Sequence, residues 1–193
     1  NLYPLKEKHL FESDADENSI LKGWGRHIAV DAVFHSSEFF KFHTNNLKQI
    51  ILPALKDSPV KPFFLAHIGL ELVLDHLLTI HGTVNINTFY EQLTQANKDA
   101  LDSFLKKSGV PDTTVFFKFL NSFISSRYLF SYQKIENISY ALNRICMRLW
   151  DSPFTESQLT SLTEKLSVFK TSIEDDYMSI FSDVEQHLNA GNH

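Results

Sequence analysis

Apolar side chains recur along this chain with the period of a helix, and the periodic stretches run long before a breaker interrupts them. The first stretch, Asn1 to Asn18, is polar and irregular. A helix is predicted from Ser19 through Leu47 towards Leu55, with a bend at Ser36-Ser37, and Asp57-Ser58-Pro59 stops it. Pro62 suits the first turn of a second helix that ends near His81-Gly82. A third runs from Thr88 to Lys107, with Gly109 as its terminator. A fourth begins near Pro111 and a fifth covers Ile135 to Trp150, closed by Asp151-Ser152-Pro153. Thr155 and Gln158 form a capping box for one long last helix over 154–190, ending before Gly191. The pattern predicts an all-α protein: one domain over 1–193, a compact bundle of about six helices, with no repeat or linker.

Composition agrees with that class. The 193 residues include 17 Phe but only 6 Gly and 6 Pro, which favours long helices over many short strands. Phe116, Phe117, Phe119 and Phe123 are expected in the core. The net charge of −5 lacks the basic excess of a nucleic-acid binder. A single cysteine, Cys146, excludes an internal disulfide and a Cys-based zinc site, and points to a reducing, cytoplasmic setting. No apolar run is expected to span a membrane. There is no Gly-rich phosphate loop and no local motif for Ser-His-Asp or Cys-His catalysis.

The chemistry-bearing residues fall into two stripes. His27, Asp31 and His35 follow i, i+4, i+8 spacing, which places them within an arc of about 80° on one helix face. Glu38 lands in the same arc, and Trp24, Phe34 and Phe42 lie on or beside it, so this face is expected to point inward. The segment from Phe63 to His81 is apolar on every side, the mark of a buried helix. It nevertheless carries His67, Glu71 and Asp75 at the same spacing, with His81 near the stripe and His76 rotated by about 100°. Buried carboxylates and imidazoles need partners. A divalent metal between two helices supplies one solution, and a hydrogen-bonded polar network supplies the other. A merely solvated polar face also accounts for the first stripe taken alone.

At these residues the chain resembles the acyl carrier protein phosphodiesterase family. Gly23, His27 and Asp31 match the spacing of its first block, and Glu71 with Asp75-His76 matches its second. Tyr128-Leu129, Tyr132, Ile138, Leu142 and Arg148 match a third, so the resemblance covers roughly residues 20 to 150. Two departures stand out: His35 occupies a position where the family has an acid, and the family's N-terminal His and Gly-rich Asp motifs do not precede Asn1. The resemblance implies that the family's N-terminal part is missing from this chain. It also implies a fold distantly like the HD phosphohydrolases. The implied reaction releases 4′-phosphopantetheine from holo-acyl carrier protein with the aid of Mn²⁺ or Mg²⁺, which belongs to lipid metabolism and fatty acid biosynthesis.

For that chemistry the candidate metal ligands are His27, Asp31, His35 and Asp75. Asp31, Glu71, Asp75 and His76 are the candidate catalytic residues, Glu71 as a further ligand or as base on the attacking water. His67 and His81 are expected to be structural or peripheral. His27, Asp31, Glu71 and Asp75 are expected to converge. Arg26, Arg144 and Arg148 are candidate contacts for phosphate, and the last two also for an acidic carrier protein, although exposed Arg commonly marks only a solvated face. A phosphopantetheine channel lined by the Phe116–Phe123 group is a further option. Two alternatives share the fold: a phosphohydrolase of a small molecule or lipid headgroup, and a helical binding module without catalysis.

Overall fold

The computed structural model describes Pro4 and residues 6–190; the expected stop at Gly191 and the start of the irregular lead-in lie outside them. Nine α-helices occur among the described residues, joined by turns and short 3-10 segments, with no strand. They are α1 (Ala15–Ser36), α2 (Glu38–Ile51), α3 (Pro62–Ile80), α4 (Ile86–Gln95), α5 (Lys98–Lys107), α6 (Thr114–Ser126), α7 (Ile135–Cys146), α8 (Glu156–Ile173) and α9 (Met178–Ala190).

The all-α class is therefore as expected, and the larger helix count has local causes. α1 begins earlier than Ser19 because Asp14 caps it: Oδ1 accepts the amides of Asp16 and Glu17, both at 2.9 Å. The expected bend at Ser36-Ser37 is a full break. The Ser37 hydroxyl donates to Phe34 O at 2.7 Å and accepts the Phe40 amide at 3.0 Å, starting α2. The predicted third helix is two, because the Asn97 side chain accepts the amides of Asp99 and Ala100 and caps α5 afresh. The predicted last helix is also two, broken after Ile173; its capping box at Thr155 and Gln158 is present as read. Gly82 and Gly109 end α3 and α5 with φ of 65° and 96°, in the left-handed region where a side chain is strained.

The chain divides into two compact units. The first comprises the residues through Ala32 together with Ile86–Tyr128, hence most of α1 and all of α4, α5 and α6. Phe11, Leu21 and Phe104 form its small core, with the Phe11 and Phe104 rings 4.6 Å apart. Glu17 is buried beside it and is held by Lys107 Nζ at 2.6 Å, the partner a buried carboxylate requires. Contrary to the core expectation, α6 buries no residue fully, and Phe119 is 62% exposed. Phe119, Phe89 and Tyr128 form a ring-contacting patch around Phe123.

The second unit comprises Val33–Asn85 and the chain from Leu129 onward, hence the last turn of α1 with α2, α3, α7, α8 and α9. α3 is its central helix and packs against α2, α7 and α8. Leu65, Leu70, Val73 and Leu77 are sealed from solvent, which explains why the helix is apolar all round. By length and mean hydropathy (1.6) α3 also qualifies as a membrane span, contrary to the expectation that no run would; half of that window is buried inside the protein. Gly69 lets α2 approach, since a Cβ there would meet Leu47 Cδ2 at 3.1 Å and Leu47 is fully buried. Gly69→Val should therefore overpack the contact and cost about 2 kcal/mol, outweighing the gain of about 0.4 kcal/mol in helix propensity when β-branched valine replaces glycine. A thermal melt of the variant checks this, with a fall of several degrees expected.

Candidate metal centre

The corner between α1 and α2 creates the site. The Ser37 cap turns the chain sharply, which sets Phe34 and His35, on the last turn of α1, against Phe40 in the first turn of α2. The His35 ring meets Phe40 edge-on at 4.7 Å. α2 then packs along α3, and His67 of α3 meets the same Phe40 ring at 4.9 Å. Phe40 is buried, so one fixed aromatic ring orients both imidazoles. Glu71 follows His67 by one helical turn and shares its face.

Three donor atoms converge as a result. His35 Nε2 lies 3.1 Å from His67 Nε2 and 3.1 Å from Glu71 Oε1, and His67 Nε2 lies 3.2 Å from that same oxygen. All three side chains are partly buried and keep about a third of their surface open to solvent. Hydrogen bonds alone do not satisfy this triangle while Glu71 is ionised. If both Nε2 atoms carry protons, both donate to Glu71 but two donors face each other. If only one does, the other Nε2 stands as an acceptor against the carboxylate. A cation removes the conflict, since every corner then points a lone pair inward. Two imidazoles with one carboxylate are a standard transition-metal donor set, and His35, His67 and Glu71 would hold such an ion. The residues present thus fit a divalent metal.

The remaining expected residues are carried by α1, α3 and α7 and the turn after α7. Asp75 stands one turn beyond Glu71 on α3. Its side chain reaches solvent, yet dense protein surrounds it. Lost hydration, with the like charge of Glu71 as a second cause, pushes its carboxyl up to about 6. His76 is turned into the core, where its Nδ1–H donates to Tyr132 O at 2.6 Å. His81 pairs with Glu174 at 3.2 Å. His27, Asp31 and Arg26 are exposed on the part of α1 that belongs to the first unit, while Arg144 and Arg148 are exposed at the C-terminal end of α7 and just beyond it, in the second. Of the expected residues, the cluster brings together His35 and Glu71, and it adds His67, whose expected place is structural or peripheral. The signal for His67 was present in its four-residue spacing to Glu71.

Comparison with known proteins bears on what such a centre serves. No curated protein and no solved structure matches the chain. The model of the acyl carrier protein phosphodiesterase family matches residues 8–184, which include most of both units and the whole cluster. With most of its length matched in this way, the chain belongs to the acyl carrier protein phosphodiesterase family, a family of phosphodiester hydrolases.

Proposed function

We propose that the chain hydrolyses the phosphodiester joining 4′-phosphopantetheine to a serine of acyl carrier protein, using a divalent cation held by His35, His67 and Glu71. The observation that carries the metal requirement is the triangle of donor atoms at 3.1–3.2 Å, which no protonation pattern satisfies with Glu71 ionised. Family membership supports the substrate. Among cations, Mn²⁺ suits two imidazoles and one carboxylate better than Mg²⁺, which prefers oxygen ligands and keeps several waters.

When bound, a divalent cation supplies Lewis acidity, drawing charge from phosphoryl oxygens and acidifying water. The chain's own residues supply the rest. His35 and His67 are held in register by Phe40, so their Nε2 atoms are set before substrate arrives. Glu71 contributes the anionic corner. Asp75, with its carboxyl pushed up to about 6, is ionised at neutral pH yet more basic than an ordinary carboxylate. It is the group assigned to accept the proton of the attacking water.

The test is direct. Protein stripped of metal with EDTA is incubated with holo-acyl carrier protein, with and without Mn²⁺, and the carrier is weighed by mass spectrometry. The expected result is conversion to the apo form with Mn²⁺ only. Failure to release phosphopantetheine with Mn²⁺, Mg²⁺ or Zn²⁺ would overturn the reading.

A further inference from the structure

α7 buries Ile138, Leu142 and Cys146 on its inner side. A helix of this kind normally turns a polar face outward. Here the outer face carries Tyr140 (63% exposed) and Arg144, and the turn that follows the helix carries Met147 (51% exposed) and Arg148. Tyr140 and Arg144 stand one helical turn apart on the same side of α7. Tyr, Met and Arg are the side chains by which protein interfaces differ from ordinary surface.

Charge gives the face its sign. Neither guanidinium makes an ion pair or hydrogen bond among the described residues. The chain does not lack acids, with 23 against 18 cations, yet between Asp112 and Asp151 there are five cations and one acid, Glu136. Two unpaired cations beside exposed apolar side chains form a surface complementary to a helix that bears carboxylates along an apolar ridge.

We propose that this face docks the acyl carrier protein, by contact with a carboxylate-bearing helix of that partner. The proposal rests on the reading that a carrier protein is the substrate, and it adds where the carrier is held. A second copy of this chain fits poorly, because a twofold contact through this face sets Arg against Arg. A membrane surface calls for a broader apolar stripe than Tyr140 and Met147 provide.

The probe is apo-acyl carrier protein, which lacks phosphopantetheine and so reports docking apart from chemistry. Titration calorimetry with the full chain should show binding that weakens as salt rises. R144E/R148E should bind at least about tenfold more weakly, with an unchanged circular dichroism spectrum. Y140A/M147A should also bind more weakly while keeping the salt dependence. Equal affinity in R144E/R148E, or no binding by the unaltered protein, overturns the proposal. So does loss from R144E/R148E of self-association or of binding to anionic vesicles in place of carrier binding. The two readings separate cleanly. Docking without phosphopantetheine release from the holo form strikes the catalytic reading alone, and release that R144E/R148E leaves intact strikes the docking face alone.

Discussion

Glu71→Gln and His67→Ala are each expected to lower Mn²⁺-dependent hydrolysis on the order of 10²- to 10³-fold, because each removes one corner of the triangle. The magnitude follows from the several kcal/mol of charge stabilisation that a catalytic metal supplies, at about tenfold in rate per 1.4 kcal/mol. Stability separates this outcome from a merely structural role. With metal at about a hundred times its dissociation constant, the unaltered protein should gain about 2.7 kcal/mol and melt several degrees higher than in EDTA. Both variants should lose that rise. In EDTA, Glu71→Gln should melt no lower than the unaltered protein, since the amide keeps the packing, donates to an imidazole and removes a negative charge from the neighbourhood of Asp75. A hydrogen-bonded network without metal predicts the opposite: no response to Mn²⁺ in the unaltered protein, and a lower melting temperature for Glu71→Gln in EDTA. Melts with and without Mn²⁺, run beside the activity assay, decide between them.

The sequence showed the class of the fold more clearly than its divisions. Helical periodicity and the Pro62 and Thr155 starts are local signals, and they appear where they were read. The breaks at Asn97 and after Ile173 involve neither Gly nor Pro. At Asn97 the signal was a good capping residue inside an otherwise periodic run, which is easily read through. After Ile173 the corner places Tyr177 in the core, stacked on His81 of a distant segment, a tertiary cause that local sequence does not carry. Periodicity also marks an apolar face without naming its cover, so the α6 phenylalanines look like core in the sequence although the helix buries none of them fully. The site divides along the same line. Spacing within a helix put His67, Glu71 and Asp75 on one stripe of α3 and His35 on another of α1. Which members meet depends on the Ser37 corner and on the way α2 lies along α3, and those contacts bring His35 to His67 and Glu71. His27 and Asp31, two turns and one turn earlier on α1, belong to the other unit.

Asp75→Asn is expected to separate stability from activity. The Asp75 carboxyl is raised from 3.8 to about 6, first by lost hydration and then by Glu71, so the folded state favours its protonated form. A group shifted in this direction contributes its stability fully below the unfolded value, near pH 4, and loses it as pH rises through about 6. At pH 7.5 the ionised side chain therefore strains the fold, and an uncharged isostere relieves that strain. Discounted for an exposed side chain, the gain should be about 1 kcal/mol, or about 2–4 °C in melting temperature. At pH 4 the gain should nearly vanish, because the native carboxyl is then protonated and the two side chains are alike. Activity should move the other way. Loss of the proton acceptor should cost on the order of 10²-fold, and the acid limb that Asp75 gives the rate profile, which the bound cation moves below the metal-free value of about 6, should disappear with it. Melts in EDTA at pH 4 and 7.5, with rates across the same range, test both halves. A variant less stable at neutral pH would contradict the electrostatic account of Asp75. One that keeps its rate and its acid limb would remove Asp75 from the reaction, while leaving the His35–His67–Glu71 centre untouched.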